Sequence, residues 1–103
     1  MRYEIVLSSE AVEDLRNLRA SIRAAVRDSI ERHLRHNPTR ASGSRIKRLR
    51  GLTRPQFRLR VGEVRVFYDV VEQQVQVLAI IAKSETEAWL RKAGEPDEAS
   101  GAF

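Results

Sequence analysis

The residues of this chain best suited to chemistry are arginines. Arg58, Arg60 and Arg65 lie in the run Phe57-Arg58-Leu59-Arg60-Val61-Gly62-Glu63-Val64-Arg65-Val66-Phe67-Tyr68, where apolar and polar residues alternate. Period two is the mark of strands. Gly62-Glu63 separates the two halves, and glycine in the first central position suits a type II′ hairpin turn. The predicted register sets Val61 opposite Val64, Arg60 opposite Arg65, Leu59 opposite Val66 and Arg58 opposite Phe67. Leu59, Val61, Val64, Val66 and Tyr68 then take one face, and the three arginines share the other. Like charges placed opposite each other on strands are unfavourable, by tenths of a kcal/mol to about 1 kcal/mol. A bound anion reverses that sign, because guanidinium groups grip phosphate or carboxylate with paired hydrogen bonds. Arginine on a sheet face also keeps an edge soluble, so the neighbours must decide between the two readings.

The neighbours are basic. Between Arg45 and Arg65 there are eight basic residues and one acid, Glu63, within a chain of net charge +5 and 103 residues. That length predicts one domain, over residues 1–93, with 94–103 as a flexible polar tail. The charge favours a polyanionic or acidic partner. Arg45, Lys47, Arg48, Arg50, Arg54 and Arg58 are candidates for tracking a phosphate backbone, or equally for an acidic protein segment to cover. Cysteine is absent, which excludes disulfides and thiolate chemistry and suits a reducing compartment. No apolar run approaches the roughly 20 residues of a membrane span, and no signal pattern opens the chain, so the cytoplasm is expected. The two histidines and the absence of cysteine make a metal site unexpected.

The elements that must position the arginines follow from periodicity. Tyr3–Leu7 reads as a strand, and Ser8-Ser9 as a helix start. Val12, Leu15 and Leu18, then Ile22, Val26, Ile30 and Leu34, repeat at helical spacing, with a break near Ala20-Ser21. Asn37-Pro38 ends the second helix. Arg45–Leu49 is a short strand or extended arm. Val75–Ala82, nearly all apolar, reads as a strand covered on both faces. Ser84 is expected to cap a short helix carrying Trp89 and Leu90 on its packing side. The predicted architecture is α+β: an N-terminal strand and a two-helix hairpin on one face of a sheet of four or five mainly antiparallel strands, with a short C-terminal helix. The opposite face is then free to carry the arginines.

In this order of elements the chain resembles the RelE/ParE superfamily of type II toxin–antitoxin toxins. The passages that carry the likeness are Arg48-Leu49-Arg50-Gly51-Leu52, the arginine hairpin ending in Arg65-Val66-Phe67-Tyr68, and Val77-Leu78-Ala79-Ile80-Ile81-Ala82-Lys83-Ser84-Glu85. The resemblance implies a ribosome-dependent mRNA endoribonuclease that needs no metal or other cofactor. In such enzymes the 2′-hydroxyl attacks the adjacent phosphate, so cations must meet the developing charge and other groups must move protons. By this likeness Arg60 and Arg65 stabilise the phosphate, Arg58 holds the mRNA backbone, and Lys83 is the side chain whose proton can move. The chain departs from the type enzyme in having arginine at 58 for a lysine. It also has no hydroxyl near Trp89–Arg91, where the family's catalytic tyrosine falls. Two alternatives therefore stand beside it: a ParE-type toxin that inhibits DNA gyrase, and a degenerate toxin that only binds its antitoxin. All three imply an antitoxin with an acidic segment that wraps the basic face.

Other candidates read more simply. His33 and His36 sit near a helix C-terminus, where the helix dipole favours them. Trp89 on an amphipathic helix suits a core position better than a base-stacking one. Tyr68 shares the apolar phase of its strand, as a buried ring would.

Overall fold

The arginine-bearing run folds as the predicted hairpin. In a computed structural model that describes residues 1–97, β4 (Phe57–Val61) pairs with β5 (Val64–Val71) in the expected register. Gly62 turns the chain with φ +59°, a conformation open to glycine. The other elements are β1 (Glu4–Leu7), α1 (Ser9–Arg16), α2 (Ala20–Leu34), β2 (Ile46–Arg48), β3 (Leu52–Arg54), β6 (Gln74–Ala82), α3 (Thr86–Ala93) and β7 (Glu95–Pro96). Five strands form one sheet in the order β1-β6-β5-β4-β2. All pairs in it are antiparallel except β1 with β6.

Apolar residues decide which face the first two helices cover. Ala11 and Leu15 of α1 and Val26, Ile30 and Leu34 of α2 meet Leu59, Val66, Tyr68, Val75, Val77 and Ile80 of the sheet. Each of the leucines, isoleucines and valines among them, fully buried, contributes about 1.5–3 kcal/mol. Tyr68 belongs to this core, stacked on Phe57 with ring centroids 5.5 Å apart. Its hydroxyl donates to the Pro38 carbonyl at 2.6 Å, and burial pushes the phenol well above its ordinary pKa. This is a structural phenol, as the strand phase predicts.

The strand β6 changes phase midway. Val75 and Val77 face the helices, and so does Ile80, because Leu78 is an extra residue opposite the Phe67–Tyr68 step. β1 stops at Leu7, opposite Val77, so the bulged part of β6 lacks its outer neighbour. The start of α1 supplies the missing partners. Ser8 caps the helix by accepting from the Ala11 amide at 3.0 Å, and its hydroxyl donates to the Leu78 carbonyl at 3.1 Å. Further along α1, Asp14 Oδ2 accepts from the Ile80 amide at 2.9 Å. Main-chain groups that a strand would satisfy are thus satisfied by side chains.

Three expectations change. The helix break falls at Asn17–Arg19, before the expected site. Ser84 does not cap α3: Lys83–Glu85 forms a 3₁₀ turn, and α3 starts at Thr86 without a side-chain cap. The expected tail from Gly94 opens as structure, since Glu95–Pro96 pairs with Leu52–Arg54 and the Asp97 amide donates to the Gly51 carbonyl at 2.9 Å. Gly94 permits that turn; a Cβ there would lie 2.5 Å from the Leu90 carbonyl oxygen. The rest of the expected tail, 98–103, lies outside the described residues.

Asp14→Ala should lower unfolding free energy by about 1–3 kcal/mol, the usual cost of stranding a part-buried amide. Asp14→Asn, which keeps an acceptor, should recover most of it. Urea unfolding of the three proteins measures this; equal midpoints would show that the Ile80 amide needs no partner.

Candidate functional site

The arginine face is not open, as the sequence suggested, but partly roofed. α3 crosses it, and Trp89 stacks on Phe67 with centroids 4.9 Å apart and planes 22° from parallel. Phe67 is fully buried beneath it. Sequence reasoning gave Trp89 its packing role but did not place α3 over the arginines. The apolar residue that anchors it, Phe67, lies between Arg65 and Asp69 in the same strand phase.

Between the roof and the sheet lies a cleft of about 480 Å³, lined by Lys47, Leu49, Arg58, Arg65, Lys83, Thr86, Glu87 and Leu90. Four of these are cations. Lys47 sits opposite Arg58 across β2 and β4, so these two cations, adjacent in register, share the cleft. Arg65 is 7% exposed. Its guanidinium donates to the carbonyls of Gly62 at 2.8 Å and Val64 at 3.1 Å, which fixes it against the hairpin turn. Lys83 follows β6, and its backbone amide donates to the Glu63 carbonyl at 2.7 Å, tying the strand end to the same turn.

Two polar atoms of cleft-lining residues are buried without a hydrogen-bond partner: Arg58 Nε and Thr86 Oγ1. An orphaned buried donor costs about 1–3 kcal/mol. Arg58 bears a second cost. Burial, then the charges of Arg65 and Arg60, draw its guanidinium below the ordinary arginine value. No ion pair relieves Arg58, Arg60 or Arg65 among the described residues. A bound anion would neutralise the cluster, and would satisfy Arg58 Nε once the side chain turns that N–H into the cleft.

The remaining sequence candidates scatter. Arg60 is opposite Arg65 in register but exposed, and it lines a separate cavity near the hairpin tip together with Arg45. Arg48 lies over the Phe57 ring at 5.3 Å. Arg50 is exposed in the turn after β2. Arg54 pairs with the buried Asp69 at 3.0 Å, so its charge is matched within the fold. Thr86 and Glu87 were missed as site residues. Glu87, paired with Arg91 at 3.3 Å, is the carboxylate among the cleft-lining residues. The signal that could have found both is their place one turn past Lys83, on a helix whose Trp must pack on the arginine strand.

Comparison with known proteins gives a consistent picture. The family model for the ParE toxin of type II toxin–antitoxin systems (parDE) matches residues 5–86. No curated protein matches in sequence. Among solved structures, the toxin–antitoxin complex RelBE2 of Mycobacterium tuberculosis contains a similar chain, with TM-score 0.63 and 26% identity over 80% of this chain and 99% of that one. The RelB–RelE antitoxin–toxin complex of Methanococcus jannaschii matches with TM-score 0.62 and 18% identity, over 82% and 96%. The archaeal RelE–RelB complex of Pyrococcus horikoshii OT3 matches with TM-score 0.61 and 21% identity, over 81% and 97%.

If Arg58 bears the double cost described, Arg58→Met should raise thermal stability in phosphate-free buffer, by tenths of a kcal/mol to about 1 kcal/mol. Inorganic phosphate should stabilise the parent chain more than the variant. A variant that melts lower in phosphate-free buffer would show that the arginine is not strained at rest.

Proposed function

We propose that this chain, which belongs to the ParE toxin family of type II toxin–antitoxin systems, is a toxin that cleaves mRNA on the ribosome, with the cation-lined cleft as its active site. The observation that carries this is the meeting of Lys47, Arg58, Arg65 and Lys83 in one cleft, two of whose lining residues hold a buried unpartnered polar atom, Arg58 Nε and Thr86 Oγ1. In the cleft the substrate's 2′-oxygen attacks the adjacent phosphorus. The O2′–P bond forms and the P–O5′ bond breaks, leaving a 2′,3′-cyclic phosphate and a 5′-hydroxyl. Arg58 and Arg65 stay cationic throughout and bind the two non-bridging oxygens as negative charge grows on them. The 2′-hydroxyl proton leaves to, and the 5′-oxygen takes a proton from, side chains able to exchange one. Lys83 is the first candidate, and Lys47 and Glu87 share the cleft with it.

Arg65 is already fixed by the Gly62 and Val64 carbonyls, so it meets the charge without reorganising. Arg60, exposed beside it, acts at the rim, where it meets the incoming strand.

One observation favours a second reading. The matching family model is that of ParE, and among the described residues neither a phenol nor an imidazole lines the cleft. A gyrase-directed toxin would use the same basic surface without chemistry. In either case the partner that silences it is an antitoxin, as the likeness to the toxin–antitoxin complex RelBE2 supports; an acidic segment of that partner would lie over the basic face.

Induction in growing cells, followed by mapping of mRNA 5′ ends, separates these readings. New ends within translated codons should appear for the parent chain. They should fall about 10²–10³-fold for Lys83→Ala and Arg58→Ala, the usual loss when a transition-state donor is removed. Growth arrest with no new ends, but with trapped gyrase–DNA cleavage complexes, would establish the second reading.

A further inference from the structure

A second cationic hollow lies apart from the cleft, at the hairpin end of the sheet. It consists of two adjoining cavities of about 220 and 290 Å³ that share Arg32, His33 and Arg45. Arg40 and Asn37 line the first, and Arg60, Ser29 and Ser44 the second. Among the described residues no carboxylate lines either cavity. Arg32 is paired with Asp28 at 3.2 Å, whereas Arg40, Arg45 and Arg60 have no carboxylate partner among the described residues. Imidazole, hydroxyl and guanidinium groups thus converge from α2, the loop after it and β4, with no negative charge to satisfy them.

The hollow and the cleft are neighbours through one cross-strand pair. Arg60 lines the hollow, and its register partner Arg65 lines the cleft. Adjacent strands lie about 4.8 Å apart, so the cationic band is continuous across the hairpin. A single anion cannot occupy both places, but a strand with repeating phosphates can.

We propose that the hollow between α2 and β4 is a second phosphate site, which holds a backbone phosphate of the RNA strand whose reacting phosphate lies in the cleft. This rests on the ribonuclease reading of the cleft and extends it: the substrate is a strand gripped at two separated phosphates. Arg45, Arg40 and Arg60 supply charge, and Ser29 and Ser44 supply neutral donors. His33 adds a conditional donor. Burial, then Arg45 and Arg32, hold it below the ordinary histidine value, while Asp28 opposes them. Arg40 and Arg60 face the same space. A phosphate entering among these cations favours the protonated ring.

The test is binding of uncleavable 2′-O-methyl RNA, followed by fluorescence anisotropy, with an oligonucleotide of about two nucleotides and one of about ten. Arg45→Ala and Arg40→Ala should each weaken the long oligonucleotide about 5–10-fold and leave the short one unchanged. The slope of log affinity against log salt should become shallower by about 0.7 for each phosphate that is no longer neutralised. Both side chains are exposed, so neither variant is expected to disturb the core. Unchanged affinity for the long oligonucleotide in both variants would overturn the proposal. So would binding of a poly-glutamate peptide that depends on Arg45 while RNA binding does not, which would assign the hollow to an acidic protein segment. Arg58→Met supplies the separate control. If it leaves both affinities unchanged while Arg45→Ala weakens the long one, the second site stands and the cleft is not where RNA reacts.

Discussion

Like charge held at close range is the constraint from which this molecule is best understood. Lys47 faces Arg58 and Arg60 faces Arg65 across neighbouring strands, where folding alone would favour opposite signs or neutral pairs. The repulsion is tolerated because the other face of the same strands is buried without polar interruption. Leu59, Val66 and Tyr68 are fully enclosed by α1 and α2. Burial there outweighs a repulsion of at most a few kcal/mol. The fold thus keeps in store an electrostatic cost that a bound anion would relieve.

Rigidity matters as much as charge. Arg65 would be a mobile surface residue on an ordinary strand. Here two hairpin carbonyls hold its guanidinium, and the turn that presents them needs Gly62 in a left-handed conformation. The end of β6 is bound to the same turn through Lys83 and Glu63. α3 then closes over the cluster through Trp89 on Phe67, lowering the local dielectric around the cations. A local feature, a glycine between two alternating runs, therefore sets both the register of the charges and the geometry of the most buried one.

Much of this was legible in the sequence, and the reasons differ by element. The hairpin was readable to the residue, because side-chain alternation and a glycine turn fix register without distant information. The apolar stripe of α2 identified its buried face, although Ile22, 36% exposed, lies beyond the part that packs. What could not be read depends on residues distant in the chain. The bulge at Leu78 is stabilised by Ser8 and Asp14, some 66–70 residues away, and no local pattern announces it. The pairing of β3 with β7 joins a basic turn to a polar segment, neither of which has strand alternation. The roof over the arginines was missed for the same reason. Phe67 in the arginine phase was the visible sign that something apolar must cover that face. With the roof came Thr86 and Glu87, and the division of the basic residues into cleft, hollow and ion-paired Arg54.

If the cleft is a phosphate site, Arg58 and its neighbours must respond to a bound phosphodiester. The most direct measurement is the Nε–H resonance of Arg58 in ¹H–¹⁵N spectra, followed while an uncleavable 2′-O-methyl dinucleotide is added. A downfield shift and slowed exchange with water are expected, as an unpartnered donor gains a charged acceptor. A resonance that neither moves nor gains protection at saturating dinucleotide would contradict it.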